Sequence, residues 1–600
     1  MIKFDSYDTE FKKPFGAVRR GDDIYFTVKV SKGLKTDHVN VVLRKDKSLS
    51  FILKRTAAEQ EYDVFTGNVT LNESGLYKYR FELVDKDGIM VFAGTEDGHT
   101  AKTGDWLPEW QLFIFDSDFY TAEIPAGAVM YQIFPDRFYK ADGVDTSGAK
   151  NDRIIHEDWY ERPHCFYDYK GYKCNDFFMG NLKGIEQKIP YLKSLGVTHV
   201  YLNPIFESAE NHRYATSDYK RIDPYLGTNA DFKSLCTALH ENDIKIIIDG
   251  VFSHTGDDSI YFNRYGHYGD SGAYNDKNSP YYDWYTFEGC RDKYECWWGF
   301  KTLPNVKETN EKYLDFITGE NGVLTYWQGL GADGYRLDVA DELPDEFLEK
   351  LRARVKANDK DALIIGEVWE NAVTKESYGA QRKFLQGKQC DSVMNYPFLN
   401  AIINFVTKGD ADAFYKTVME ILEMYPSPSV KCLMNSLSTH DTARIINRLG
   451  ADVIPDKKLH ADTKLSEKEK ERGREGLAVA AMLQYTLPGI PCIYYGDEAG
   501  LEGFSDPSCR KTYPWGKEDK QLLQLHQILG IIRKKYAAQF EQPLQFELHE
   551  SGIIIYRRGS IRVIVNRSDG VIAHSGRAVI SHKAADGKIL CGGAVIEEVK

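Results

Sequence analysis

Four short segments, far apart in the chain, each end an apolar run in acidic or histidine side chains. They are Asp249-Gly250-Val251-Phe252-Ser253-His254, Gly334-Tyr335-Arg336-Leu337-Asp338-Val339, Ile365-Gly366-Glu367-Val368-Trp369 and Ser438-Thr439-His440-Asp441. Such runs read as buried strands. A buried strand that opens at its carboxyl end into a loop bearing Asp, Glu or His is the usual active-site position of a (β/α)8 barrel. One segment of this kind constrains little. Four in order, with room for a helix between successive strands, require a parallel barrel whose strand ends converge on one site.

Further apolar runs complete the set. Strands are expected at 129–134, 199–203, 244–249, 334–338, 363–368, 392–396, 432–437 and 490–495, with amphipathic helices between them, as at 185–195 and 343–355. The stretch from Asp249 to Asp338 is much longer than one helix needs, and residues 254–305, rich in Tyr, Trp, Gly and Asp, read as an excursion from the third strand. Residues 1–118 carry instead largely period-two runs (24–30, 39–43, 77–83) broken by Gly and Asp turns, the pattern of an antiparallel β-sandwich. Strand patterns return near the end of the chain. The expected architecture is therefore multidomain: an N-terminal sandwich over 1–118, a (β/α)8 TIM barrel over 119–538 that contains the 254–305 excursion, and a short C-terminal β-domain over 539–600.

Charge narrows the partner. With 76 Lys and Arg against 89 Asp and Glu, the net charge of −13 argues against nucleic acid or an anionic membrane and fits a neutral ligand. The ten Cys are scattered, with no Cys-x-x-Cys pair and no zinc spacing, which reads as reduced thiols in a reducing compartment. The N-terminus lacks an apolar signal core and no stretch is long enough to span a bilayer. A cytoplasmic enzyme with no required cofactor is expected.

The order of the four segments, with Asp338, Glu367 and Asp441 as carboxylates, resembles the α-amylase family of glycoside hydrolases over roughly residues 125–520. Together with the sandwich it is most similar to the cyclomaltodextrinase, neopullulanase and maltogenic amylase group. The resemblance implies retaining cleavage of an α-glucan, with Asp338 as nucleophile, Glu367 as general acid and base, and Asp441 bonded to hydroxyls of the sugar being cleaved. Arg336, two residues before Asp338 and so on the same strand face, is expected to keep that carboxyl ionised. Apolar and aromatic neighbours are expected to raise the pKa of Glu367. The resemblance further implies His254 and His440 as donors to the same sugar, and Tyr214, in the segment Asn211 to Tyr219, as its stacking ring. It implies Asp506 and Arg510 as the grip on the neighbouring glucose, and Trp298 and Trp369, beside Trp297, as platforms. Asp249 is expected to organise the loop after the third strand.

Val339, directly after the proposed nucleophile, is the residue carried by α-1,6-specific and dual-specificity members. Leu303-Pro304-Asn305-Val306-Lys307 departs from the Met-Pro-Lys-Leu-Asn string of the nearest group, so the choice among cyclodextrin, pullulan, starch and malto-oligosaccharide stays open. No metal ligand is assigned: Ser253 stands where calcium-dependent members carry Asn. The polar loop of Asp136, Asp142, Asp145, Asn151 and Asp152, with Lys140 among them, leaves a structural, non-catalytic calcium open. A glucanotransferase would use the same residues. A non-catalytic glucan-binding protein would not need the complete set. In similar enzymes the N-terminal module implies a homodimer.

Overall fold

The computed structural model describes residues 1–146, 148, 152–165 and 173–599. They form two compact units. The first comprises Met1–Thr121 with Glu370–Asp391 and Lys416–Val430, and its body is a largely antiparallel two-layer sheet structure. The strand Ser48–Ala58 joins the layers: its first half pairs with Val39–Arg44 and its second with Tyr62–Thr70. Alternate residues of each strand point inward, so period two in the sequence becomes a core of Phe4, Phe26, Tyr79, Phe81 and Trp110. Tyr79 stacks on Trp110 with centroids 5.4 Å apart, and Phe4 meets Phe81 edge-on at 4.7 Å.

The second unit, Ala122–Trp369, Ser392–Tyr415 and Lys431–Lys600, holds the barrel. Its strands are β1 (Met130–Ile133), β2 (His199–Leu202), β3 (Lys245–Gly250), β4 (Gly334–Leu337), β5 (Leu363–Gly366), β6 (Ser392–Val393), β7 (Met434–Ser436) and β8 (Ile490–Tyr494). Each pairs in parallel with the next through β6, and β7, β8 and β1 continue the series. A parallel bridge between Met394 and Met434 joins β6 to β7 and closes the ring. Seven fall within the runs expected from the sequence, and β3 runs one residue past its expected end at Asp249.

The inward faces explain why a site sits at one end. Met130, Tyr201, Ile247, Leu363, Ile365, Met434, Ile490 and Cys492 belong to one apolar cluster in the barrel. Two residues further along the same faces come Gln132, Asn203, Asp249 and Glu367. The interior is thus apolar below and polar at the carboxyl ends.

The expected helix at 185–195 is two short helices, Leu182–Gln187 and Ile189–Ser194. Pro190 occupies the first turn of the second, where its missing N–H does no harm; in the middle of one long helix it would break the ladder. The helix expected at 343–355 is present as Asp345–Asn358. Between β3 and β4 the chain runs mostly through turns, held by isolated bridges His254–Asn305 and Cys296–Pro304 and by packed rings of Phe262, Tyr285 and Tyr294. The C-terminal sheet spans Gln545–Glu598 and is antiparallel throughout. Among the described residues no helix is long and apolar enough to cross a membrane.

Candidate active site

Asp338 and Glu367 directly follow the paired residues Leu337 and Gly366, so two carboxylates leave adjacent strands side by side. Arg336 lies fully buried between them and Asp249. Its Nη1 donates to Asp249 Oδ1 at 2.8 Å and to Asp338 Oδ1 at 3.0 Å. Its Nη2 is 2.7 Å from Glu367 Oε2, a close ion pair although the N–H does not point at the oxygen. With the guanidinium about 2.3 Å wide between its terminal nitrogens, the facing oxygens of Asp338 and Glu367 are at most ~8 Å apart.

Val339 adopts a left-handed backbone, φ 36°, which is costly for a β-branched residue. Its N–H donates to Glu367 Oε2 at 2.9 Å. The Trp369 indole N–H donates to Glu367 Oε1 at 3.1 Å, and its ring stacks on Tyr396 at 4.0 Å. Both oxygens of Glu367 are therefore held.

One guanidinium serves three carboxylates, and this reverses one expectation. Burial, reinforced by the charges of Glu367, Asp249 and Asp441, pushes the Asp338 carboxyl well above the usual range in spite of Arg336. Arg336 had been expected to hold Asp338 down, but its charge is divided.

A second chain of contacts borders the first. Tyr214 Oη donates to Asp249 Oδ2 at 3.0 Å, accepts from Asn203 Nδ2 at 3.1 Å and lies 2.5 Å from His440 Nε2. Gln132 Nε2 donates to Asn203 Oδ1 at 2.9 Å and faces His440 Nδ1 at 3.1 Å. Burial, with Arg336 and Arg510 nearby, lowers the His440 pKa well below its ordinary value, so the ring is neutral. With Nδ1 facing a donor, its proton sits on Nε2, directed at Tyr214 Oη or at Asp441 Oδ2, 3.1 Å away.

Arg510 donates from Nε to the His440 carbonyl at 2.8 Å and from Nη2 to Asp441 Oδ1 at 3.3 Å, with Asp506 Oδ2 at 3.9 Å. Beneath the 438–441 loop, Ser438 Oγ donates to Asp497 Oδ2 at 2.6 Å and Arg444 Nη1 to Asp497 Oδ1 at 3.0 Å. His254 is buried and its pKa falls to about 4 through burial. Its Nδ1 meets Ser253 Oγ at 3.0 Å, while Nε2 has no well-aligned partner and the Tyr214 carbonyl lies beside it. Trp298 stands 77% exposed, stacked on Trp297 at 5.2 Å, and its indole N–H donates to Glu342 Oε1 at 2.7 Å.

Asp338, Glu367, Arg336, Tyr214, His440, Asp441, Arg510 and Asp506 are thus joined through direct contacts, with Asp249 as the link between the two chains. Trp369 contacts the cluster through Glu367, whereas Trp298 connects to Glu342. Sequence reasoning missed Gln132, Tyr201 (whose Oη donates to Asp249 Oδ2 at 2.6 Å), Asn203, Tyr396 and Glu342. The available signal was a polar side chain at an inward position of an apolar strand.

The polar loop considered for calcium fits that ion poorly at its first residue. Asp136 is buried, bonded to Arg137 Nε at 2.6 Å and to the backbone N–H groups of Phe178 and Met179 at 3.1 Å. Its oxygens are committed to a cation and to amides. Asn151 lies outside the described residues.

A family model described as the alpha amylase catalytic domain matches residues 132–539. An amylopullulanase from Thermoanaerobacter thermohydrosulfuricus is 34% identical over 89% of this chain and 39% of its own. Neopullulanase 2 from Thermoactinomyces vulgaris is 30% identical over 85% of this chain and 83% of its own. The solved structure of a cyclomaltodextrinase superposes with a TM-score of 0.68 at 25% identity, covering 98% of each chain. The chain spans less than half the length of the amylopullulanases it matches.

Proposed function

Because the chain belongs to the α-amylase family, we propose that it is a retaining α-glucan hydrolase that acts on α-1,4 bonds, and on α-1,6 bonds where its substrate carries them. Asp338 attacks the anomeric carbon as Glu367 gives its proton to the departing glycosidic oxygen. Water that loses a proton to Glu367 then releases the sugar from Asp338. Asp441, His254 and His440 bond the hydroxyls of the ring being cleaved, Tyr214 supports its apolar face, Asp506 and Arg510 hold the next glucose, and Trp369 and Trp298 serve as platforms.

The observation that carries this reading is the pair Asp338 and Glu367 on adjacent strand ends, both in contact with Arg336. A protein that only binds glucan has no use for two buried carboxyls set side by side against one guanidinium. Substrates named for the relatives, pullulan and cyclomaltodextrin among them, are the first to try. Glu367→Gln is expected to abolish turnover on maltotriose while calorimetry still records malto-oligosaccharide binding; full activity in that variant would remove Glu367 from the reaction. Products longer than maltotriose from the parent enzyme would favour the glucanotransferase reading.

The proposal extends to setting and assembly. Free, buried Cys236, Cys492 and Cys509, the last two with thiols pushed up to about 12 by burial, suit the reducing cytoplasm. A homodimer through residues 1–118 is the assembly this reading carries, and a monomer in sedimentation velocity would refute it.

A further inference from the structure

A cluster apart from the carboxylates just described gathers His156, His164 and Asp176, which the site has not used. One potential ligand atom from each lies within 4.8 Å of the others. His156 Nε2 is 3.0 Å from Asp176 Oδ2, and the two imidazoles are 4.8 Å apart between centroids, at 68° to one another. Tetrahedral zinc, about 2.0–2.1 Å from N and O ligands, sets its ligand atoms ~3.3 Å apart, so the closest pair already has that spacing and the widest closes by roughly 1.5 Å.

Two surrounding features suit an ion. His156 turns its other nitrogen, Nδ1, toward Glu161 Oε2 at 2.8 Å. A carboxylate on the far side of an imidazole fixes its tautomer and leaves Nε2 as the ligating lone pair. The ring is held in plane by stacking on Phe178 at 4.1 Å. The charged neighbours are mostly anionic. Asp136, Asp176 and Glu161 carry three negative charges around the single guanidinium of Arg137, which bonds Asp136 and lies 3.7 Å from Asp176 Oδ2.

We propose that His156 Nε2, the His164 imidazole and an Asp176 carboxylate oxygen form a binding site for a zinc-class divalent transition ion, with Glu161 as the outer partner that orients His156. Water supplies the fourth position. The ion acts through structure rather than chemistry. Asp176 Oδ1 also accepts from Asn211 Nδ2 at 2.8 Å, and the Asp176 carbonyl accepts from the same amide at 3.1 Å. Asn211 opens the loop that ends in Tyr214, so fixing Asp176 steadies the segment carrying that ring.

The test uses the full chain, stripped with a chelator and titrated with Zn2+ against a chromophoric competitor. One equivalent of tight binding is expected. His156→Ala/His164→Ala should weaken it at least ~100-fold, and Glu161→Gln, which changes a half-exposed group and spares the fold, ~10-fold or more. Co2+ in place of zinc should give visible ligand-field bands without a sulfur-to-cobalt charge-transfer band. Absence of stoichiometric binding, binding unaltered in Glu161→Gln and in the double variant, or a thiolate band that moves the ion to one of the cysteines would each overturn the assignment.

Discussion

Replacing Tyr214 by Phe removes one oxygen and keeps the ring, which separates the hydrogen-bond network from stacking. That oxygen donates to Asp249, accepts from Asn203 and faces His440. A hydrogen bond to a carboxylate is worth about 1.5–3 kcal/mol, and leaving the buried Asn203 donor unsatisfied costs about 1–3 more. Part is recovered. Asp249 keeps Tyr201 at 2.6 Å and Arg336 at 2.8 Å, and the His440 Nε2 proton has Asp441 Oδ2 at 3.1 Å as a second acceptor. A net loss of ~2–4 kcal/mol is expected, which in a barrel of this size lowers its melting transition by ~2–4 °C. If ~1–2 kcal/mol of this is felt at the reacting ring, kcat falls about 5–30-fold while KM, set by the retained ring, changes little. Calorimetry at neutral pH and steady-state kinetics on maltotriose measure both. Melting and kcat equal to the parent's would refute the network, and Tyr214→Ala, which also removes the stacking face, should raise KM in addition.

Two further outcomes follow from the same geometry. Asp338→Asn should be inactive yet melt higher than the parent at neutral pH. A carboxyl whose folded pKa is raised destabilises the native state as pH climbs above its unfolded value of ~3.9, so the advantage of the variant should vanish toward that pH and grow above it; a gap independent of pH would refute this. Glu342→Ala frees the Trp298 indole from its 2.7 Å hydrogen bond, and loss of about 1 kcal/mol of restraint should raise KM for long α-glucans ~5-fold with kcat intact. Equal KM values in chain-length kinetics would leave Trp298 without a platform role.

The barrel was legible because its signal is local. Ile247 precedes Asp249 and Ile365 precedes Glu367 on the same strand faces, so a run of letters already states where the apolar interior stops and the polar mouth begins. The network at the mouth was not legible. Gln132 and Asn203 stand at neighbouring strand ends, and their partners come from loops, Tyr214 eleven residues after Asn203 and His440 some three hundred residues after Gln132. No spacing rule connects them; only the parallel register of β1 and β2 does. Unit membership was hidden for a related reason. Glu370–Asp391 and Lys416–Val430 group with Met1–Thr121, an association carried by tertiary contact across hundreds of residues. The helix at 185–195 was read from periodicity alone, and Pro190 decided its division.

The sign of the Asp338 shift also alters how the proposed reaction keeps a proton. An apolar pocket around Glu367 alone was the expected device, but the structure puts a cluster there. Asp249, Asp338 and Glu367, all ionised around one guanidinium, would leave two uncompensated negative charges, and His254 and His440, held neutral by burial, add no positive one. Burial makes that state costly, and together with the neighbouring carboxylates it pushes the Asp338 carboxyl up. In the proposed first step Asp338 loses its charge as it bonds to carbon, and Glu367 gains one as it gives up the proton. The total does not change. Negative charge only moves from the oxygen 3.0 Å from Arg336 Nη1 to the oxygen 2.7 Å from Nη2. The guanidinium is in place for both states and need not reorganise during the transfer, which is how a preorganised site lowers a barrier.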